Sequence, residues 1–254
     1  MAVRRITADG DPLNGIVEFR DVSYSVGSHA VLRNFSLEMG QGEMVVLLGR
    51  SGAGKTSALK MVNALRVPDT GVVVVEGKPV AEWDEIRLRR RIGYVIQEVG
   101  LLPHLTIERN IALIPELEGW SHERLAKRAY MLLDLLGMPP DLFLHRRPHE
   151  LSGGQRQRVG VARALAADPP ILLLDEPFGA VDPVTRHDLQ ELLLMLTRQL
   201  KKTALFVTHD VREALKLASR IALMHEGQLV MVSTPADFIR SDHFEARAFL
   251  ASLD

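Results

Sequence analysis

The sequence predicts an α/β fold, a mostly parallel sheet with an N-terminal antiparallel β-subdomain and an inserted α-helical subdomain, and three observations predict it. A short apolar run, Met44 to Leu48, leads straight into the glycine-rich G-R-S-G-A-G-K-T of Gly49 to Thr56, after which the spacing turns helical. Two more apolar runs, Ile171 to Leu174 and Ala204 to Val207, bracket a helical stretch from about Pro183 to Leu200, the alternation of parallel βαβ units. Between these strand-bearing regions, from Glu98 to about Ala166, strand signals give way to helical ones.

Taken in order, residues 1–14 read as a flexible arm, and residues 15–254 as one domain. Ile16 to Phe19 and Val31 to Met39 read as strands around the turn-rich S-V-G-S-H. The helix after the glycine-rich loop runs from Lys55 to Arg66 and stops before Pro68, since the residue preceding a proline avoids helical conformation. Asp69, Thr70 and Gly71 turn the chain into the apolar run Val72 to Val75, which Gly77 closes. Ile92 to Ile96 is a further strand. The inserted helical subdomain, approximately 98–166, includes an amphipathic stretch His122 to Leu136 that Ser121 can cap. Ile221 to Met224 and Gln228 to Val232 form a hairpin, and a helical tail covers approximately 235–254.

Composition narrows the function. The chain has 254 residues, 46% of them hydrophobic and 25% charged, which is a globular balance. A formal net charge of -1 argues against a broad nucleic-acid-binding face, and the one basic run, R-L-R-R-R at Arg87 to Arg91, reads as a solvated helix face. Cysteine is absent, which excludes disulfides, thiol catalysis and cysteine metal sites. No segment approaches the roughly 18 uninterrupted apolar residues of a membrane-spanning helix, so a membrane role is expected to be peripheral.

The glycine-rich loop carries the first chemistry. Between a strand and a helix, consecutive backbone N–H groups can converge on phosphate oxygens, and the helix N-terminus adds a favourable dipole. Gly49, Arg50, Ser51, Gly52, Ala53 and Gly54 form that cradle; Lys55 reaches the β and γ phosphates, and the Thr56 hydroxyl, followed by Ser57, is placed for Mg2+. Asp175 and Glu176 lie at the carboxyl end of an apolar strand, where open α/β sheets bind ligands. Asp175 is the candidate for holding the metal, and Glu176 for polarising an attacking water. His209 ends the strand T-A-L-F-V-T-H, from which it can reach a γ-phosphate or that water. Gln97 follows the strand R-I-G-Y-V-I at the start of the helical subdomain, in reach of metal or water. Ser152, Gly153 and Gly154 precede a polar helix opening at Gln155, a second anion-receptive helix start.

These strings together resemble the nucleotide-binding subunit of an ABC transporter, a P-loop NTPase: Walker A at Gly49 to Thr56, a Q-loop at Gln97, the signature L-S-G-G-Q at Leu151 to Gln155, Walker B ending at Asp175 and Glu176, a D-loop G-A-V-D ending at Asp182, and a switch histidine at His209. The resemblance implies an ATPase using ATP and Mg2+. It also implies a head-to-tail homodimer in which the Walker A loop of one copy and Ser152 to Gly154 of the other close on one ATP, with motion passed to a membrane permease through the groove near Gln97 to Thr106. The family's aromatic adenine platform falls at Val26, which cannot stack; Tyr24, two residues back on the same face of an extended segment, is its candidate substitute.

Around Gln97, Asp175 and His209 the sequence is similar to the ATPase subunits of osmoprotectant importers, which carry glycine betaine, choline or related quaternary amines. The resemblance implies partnership with integral-membrane permease subunits and indirectly a solute-binding protein, a place on the cytoplasmic face of the inner membrane, and no nucleic acid. The C-terminal CBS regulatory domains often found in such ATPases are expected to be lacking. An importer for another solute, an exporter, and a soluble ABC ATPase acting on nucleic acid or ribosomes stay open.

Overall fold

A computed structural model describes residues 15–179 and 181–253, so the arm expected over residues 1–14 lies outside the described residues. The chain divides into two compact units, one of Met1–Arg89 with Thr197–Asp254 and the other of Arg90–Leu196.

The first unit contains an antiparallel sheet and a mixed sheet. Strand β1 (Val17–Val26) pairs antiparallel with β2 (His29–Met39) and β4 (Thr70–Val75), and β4 turns at Gly77 into the short β5 (Lys78–Pro79). β1 runs well beyond the Phe19 end expected from sequence, because a bulge absorbs the polar residues that break its alternation. Asp21 takes a left-handed φ of 50° there, and the Ser36 hydroxyl both accepts from its N–H (2.8 Å) and donates to its carboxylate (3.0 Å).

The mixed sheet is built on β3 (Met44–Gly49), whose six residues are all buried. It pairs in parallel with β8 (Thr203–Thr208) and β9 (Arg220–His225), and β9 turns back antiparallel as β10 (Gln228–Ser233), the expected hairpin. Helix α1 (Lys55–Val62) follows β3. It stops short of the expected Arg66: Ala64 adopts a φ of 56°, and the N–H groups of Leu65 and Arg66 both close on the Lys60 carbonyl, at 2.9 and 3.1 Å. A left-handed residue just past the last turn satisfies the orphan carbonyls and ends a helix without proline. Helix α2 (Glu85–Arg91) begins in this unit, and α8 (Val211–Leu217), α9 (Pro235–Arg240) and α10 (Phe244–Leu250) complete it. The basic run on α2 proves more than a solvated face. Arg89 donates to the Asn63 and Ala64 carbonyls and to Glu85.

The second unit pairs β6 (Ile92–Val95) in parallel with β7 (Ile171–Asp175) and carries the expected helices α3 (Ile107–Leu117), α4 (His122–Leu135), α5 (Pro140–Phe143) and α6 (Gly153–Leu165), and all but the last turn of α7 (Pro183–Gln199). Ser121 caps α4 as expected, accepting from the Arg124 N–H at 3.4 Å. Its core comes from Ile107, Ile111, Leu132, Leu133, Val159 and Ala162, all fully or nearly fully buried at helical spacing. α6 runs so close to β6 that a Cβ on Gly93 would sit 2.4 Å from the Ala164 carbonyl oxygen.

Candidate nucleotide site

In the first unit the chain leaves the carboxyl edge of β3 and forms a closed loop before α1. Gly54 caps α1 with φ 93°, and a Cβ there would lie 2.6 Å from the Val31 carbonyl oxygen and 2.7 Å from the Leu32 side chain. Only glycine meets both demands. Gly49 is crowded differently: a Cβ would sit 2.6 Å from the carbonyl oxygen of Met224, its neighbour in the β3–β9 register. Lys55 is 5% exposed, and its ammonium donates to the carbonyls of Gly49 (2.7 Å) and Arg50 (2.9 Å), two residues of the loop it follows. The Arg50 carbonyl also accepts from the Ala53 N–H at 3.2 Å. α1 has no acidic residue in its first turn and no side-chain cap, so its N-terminal N–H groups meet no competing anion from their own helix. Thr56 and Ser57 are half-buried on that turn, while Arg50, Ser51 and Gly52 are exposed.

His209 lies one residue past the Leu48–Thr208 pair, exposed at the same carboxyl edge. The residues around it are tightly held. The Thr208 hydroxyl donates to Glu213 at 2.6 Å and accepts from the Asp210 N–H at 3.0 Å, and Asp210 caps α8 through the Arg212 N–H at 2.8 Å. Tyr24 sits opposite Leu32, the residue packed on Gly54, so it is one strand away from the loop. Arg66 stacks over its ring at 5.3 Å and donates to its hydroxyl. Val26, 55% exposed, is opposite His29, and the register shifts between Tyr24 and Ser25, which interrupts the alternation linking Tyr24 to Val26.

The second unit gathers the remaining candidates. Asp175, 5% exposed, closes β7, and Tyr94 of β6 donates its hydroxyl to Oδ2 at 3.3 Å. Burial, the Asp175 charge and that hydrogen bond together push the Tyr94 phenol above its ordinary value, so it stays a donor. Glu176 follows in a left-handed φ of 44°, costly for a residue with a Cβ, and its carbonyl accepts from the Gly179 N–H at 3.2 Å. Gln97 is exposed two residues past β6. The loop after it is anchored twice: Arg163 of α6 donates to the Val99 (2.6 Å) and Gly100 (2.8 Å) carbonyls, and the fully buried Asn110 amide bonds the Leu102 backbone on both its N–H and C=O.

α6 begins at Gly153 rather than at Gln155. Ser152 is its N-cap and Gln155 completes a reciprocal capping box, with N···O distances of 3.3 and 2.9 Å. The Ser152 oxygen therefore accepts from backbone and keeps its own hydrogen to give. Gly154 packs against α7, where a Cβ would meet the Thr185 methyl at 2.4 Å. Asp182 caps α7 by accepting from the Thr185 N–H at 3.1 Å, and hydrogen bonding from Thr185 holds its carboxyl below the usual range. The sequence reading missed Tyr94; the available signal was a hydroxyl in an apolar strand whose parallel partner ends in a carboxylate.

A family model described as ABC transporter matches residues 32–179. The chain is 50% identical over 218 residues to the glycine betaine/carnitine/choline transport ATP-binding protein OpuCA of Bacillus subtilis (strain 168), covering 86% of this chain and 57% of that protein. It thus spans little more than half the length of that relative. It is 46% identical over 233 residues to the glycine betaine uptake system ATP-binding protein YehX of Escherichia coli (strain K12), covering 89% of this chain and 75% of that one. A dimeric structure of the ATP-binding cassette MJ0796 in a post-hydrolysis state, bound to ADP and Pi, aligns with a TM-score of 0.77 and 33% identity over 86% of this chain and 98% of that chain.

Proposed function

Because this chain belongs to the ABC transporter family, we propose that it is the ATP-hydrolysing subunit of an importer, powering uptake of a quaternary-amine osmoprotectant through membrane permease subunits served by a solute-binding protein. The observation that carries the reading is the phosphate loop: a lysine held against loop carbonyls, glycines where no side chain fits, and a helix with no acidic residue in its own first turn. OpuCA and YehX carry the substrate assignment. Among the described residues no helix is long and apolar enough to cross a membrane, which suits a subunit that docks peripherally on the cytoplasmic face of the inner membrane.

In this reading Gly49 to Ser57 grips the ATP phosphates, with Lys55 leaving its two carbonyls for the β and γ oxygens. The oxygen donors Thr56, Asp175 and the Gln97 amide suit a hard cation that keeps water and phosphate as its other ligands, so they fit Mg2+. When bound, Mg2+ neutralises charge developing on the phosphates. Glu176 takes the proton of the attacking water, and His209 hydrogen-bonds the γ-phosphate. Ser152, Gly153 and Gly154 of a second copy present the Ser152 hydroxyl and helix N–H groups to the same γ-phosphate, with Asp182 beside them. Two such sites follow from one head-to-tail two-fold pair. Exposed Val26, at the position of the family's base platform, lies against the base. The loop from Gln97 to Thr106, tied to α6 through Arg163, passes the closure to the permease.

The test is ATP turnover by the purified chain and its Glu176→Gln variant. The expected loss is about a hundredfold or more, the usual worth of a positioned general base, with ATP then trapping a species of doubled mass in light scattering. Wild-type turnover by the variant would remove Glu176 from its role.

A further inference from the structure

The parallel register of β3 and β9 ends with Gly49 beside Met224, and the next residues along the chain are Arg50 of the phosphate loop and His225, the last residue of β9. A carboxylate from the C-terminal helix α10 receives both. Glu245 is 4% exposed; its Oε1 lies 3.1 Å from His225 Nδ1, and its Oε2 accepts from Arg50 Nε at 3.4 Å. A buried carboxylate is expensive unless its oxygens are matched, and here one oxygen serves each neighbour. Local packing fixes the position of Glu245. The ring of Phe244, the residue before it, meets His225 edge-on at 5.7 Å and stacks on His243 at 5.0 Å, and His243 caps α10 at the Glu245 N–H (3.3 Å).

The Arg50 backbone helps shape the loop, since its carbonyl accepts from both Lys55 Nζ and the Ala53 N–H. A side-chain tie on Arg50 therefore acts on the peptide that holds the phosphate-binding lysine. We propose that Glu245 is a positioning residue for nucleotide binding, fixing the phosphate loop from the C-terminal helix through Arg50 and His225. This rests on the ATP reading above for its functional consequence, though not for the tie itself.

The test uses the full chain, with Glu245→Gln as a near-isosteric variant, Arg50→Ala as a surface variant and the two combined. Hydrogen exchange of the amides from Arg50 to Gly54, measured without nucleotide, is expected to speed up in Glu245→Gln, and ATP affinity by fluorescent-nucleotide competition to fall about threefold to tenfold, the scale of a half-exposed ion pair. The double variant is expected to match one single variant, the mark of a coupled pair. Loop exchange and ATP affinity unchanged in Glu245→Gln, or losses that multiply in the double variant, would overturn the proposal. Failure of the wild type to bind ATP would overturn the nucleotide reading instead, and the exchange measurement alone would then decide whether the tie holds the loop.

Discussion

A phenol that donates to a buried carboxylate holds that carboxylate at a fixed angle, and Tyr94 does this for Asp175. Replacing Tyr94 with Phe keeps the ring and removes one hydrogen bond, an expected cost of about 1 kcal/mol in denaturant unfolding. The pH dependence has a definite sign. Because the folded phenol titrates above its ordinary value, its contribution is complete below about pH 10 and is lost as pH rises further. Wild type is therefore expected to lose stability on the alkaline side faster than Tyr94→Phe, and parallel alkaline limbs would refute the interaction. Glu176 and Gly54 illustrate how unevenly residues announce themselves. Gly54 is legible because the motif demands a glycine, whereas the left-handed backbone of Glu176 has no compositional signal.

At the scale of elements, caps decide where the site's helices start. Asp182 caps α7 with its carboxyl held below the usual range by Thr185. A lowered folded pKa means the contribution is present above the ordinary carboxylate range and is lost as pH falls through it. Asn caps equally well without titrating, so Asp182→Asn is expected to flatten the acid limb of the helical circular-dichroism signal; an unchanged limb would remove the cap from that role. The β3–loop–α1 passage and the β9–β10 hairpin were legible because apolar runs and glycine spacing report them directly. The end of β1 and the end of α1 were not. One depends on a bulge stabilised by Ser36 from another strand, the other on a single left-handed alanine, and both are decided by hydrogen bonds between residues far apart or of unremarkable type.

For the whole molecule, the described residues form two compact units, one holding Gly49 to Ser57 and His209, the other Gln97, Ser152 to Gln155, Asp175, Glu176 and Asp182. The sequence order of the motifs was enough to name the family and to place Arg50 in the phosphate loop, while its tie to Glu245 escaped notice because an ion pair between residues 195 positions apart leaves no local pattern. A ligand that binds only the folded chain raises its stability by about 2.7 kcal/mol at a hundred times its Kd. ATP with Mg2+ at that excess is therefore expected to lift the melting temperature by several degrees, and Lys55→Ala to erase the shift; an equal shift in the variant would move phosphate recognition away from the loop.

Lys55 resting on the carbonyls of Gly49 and Arg50 means that the cradle is already shaped before any guest arrives. Capture then includes trading the Gly49 and Arg50 carbonyls for oxygens of the guest, with the loop backbone already in place. A receptor of that sort is set to load at a rate governed by encounter rather than by rearrangement, leaving the slow steps of a working cycle to whatever follows loading.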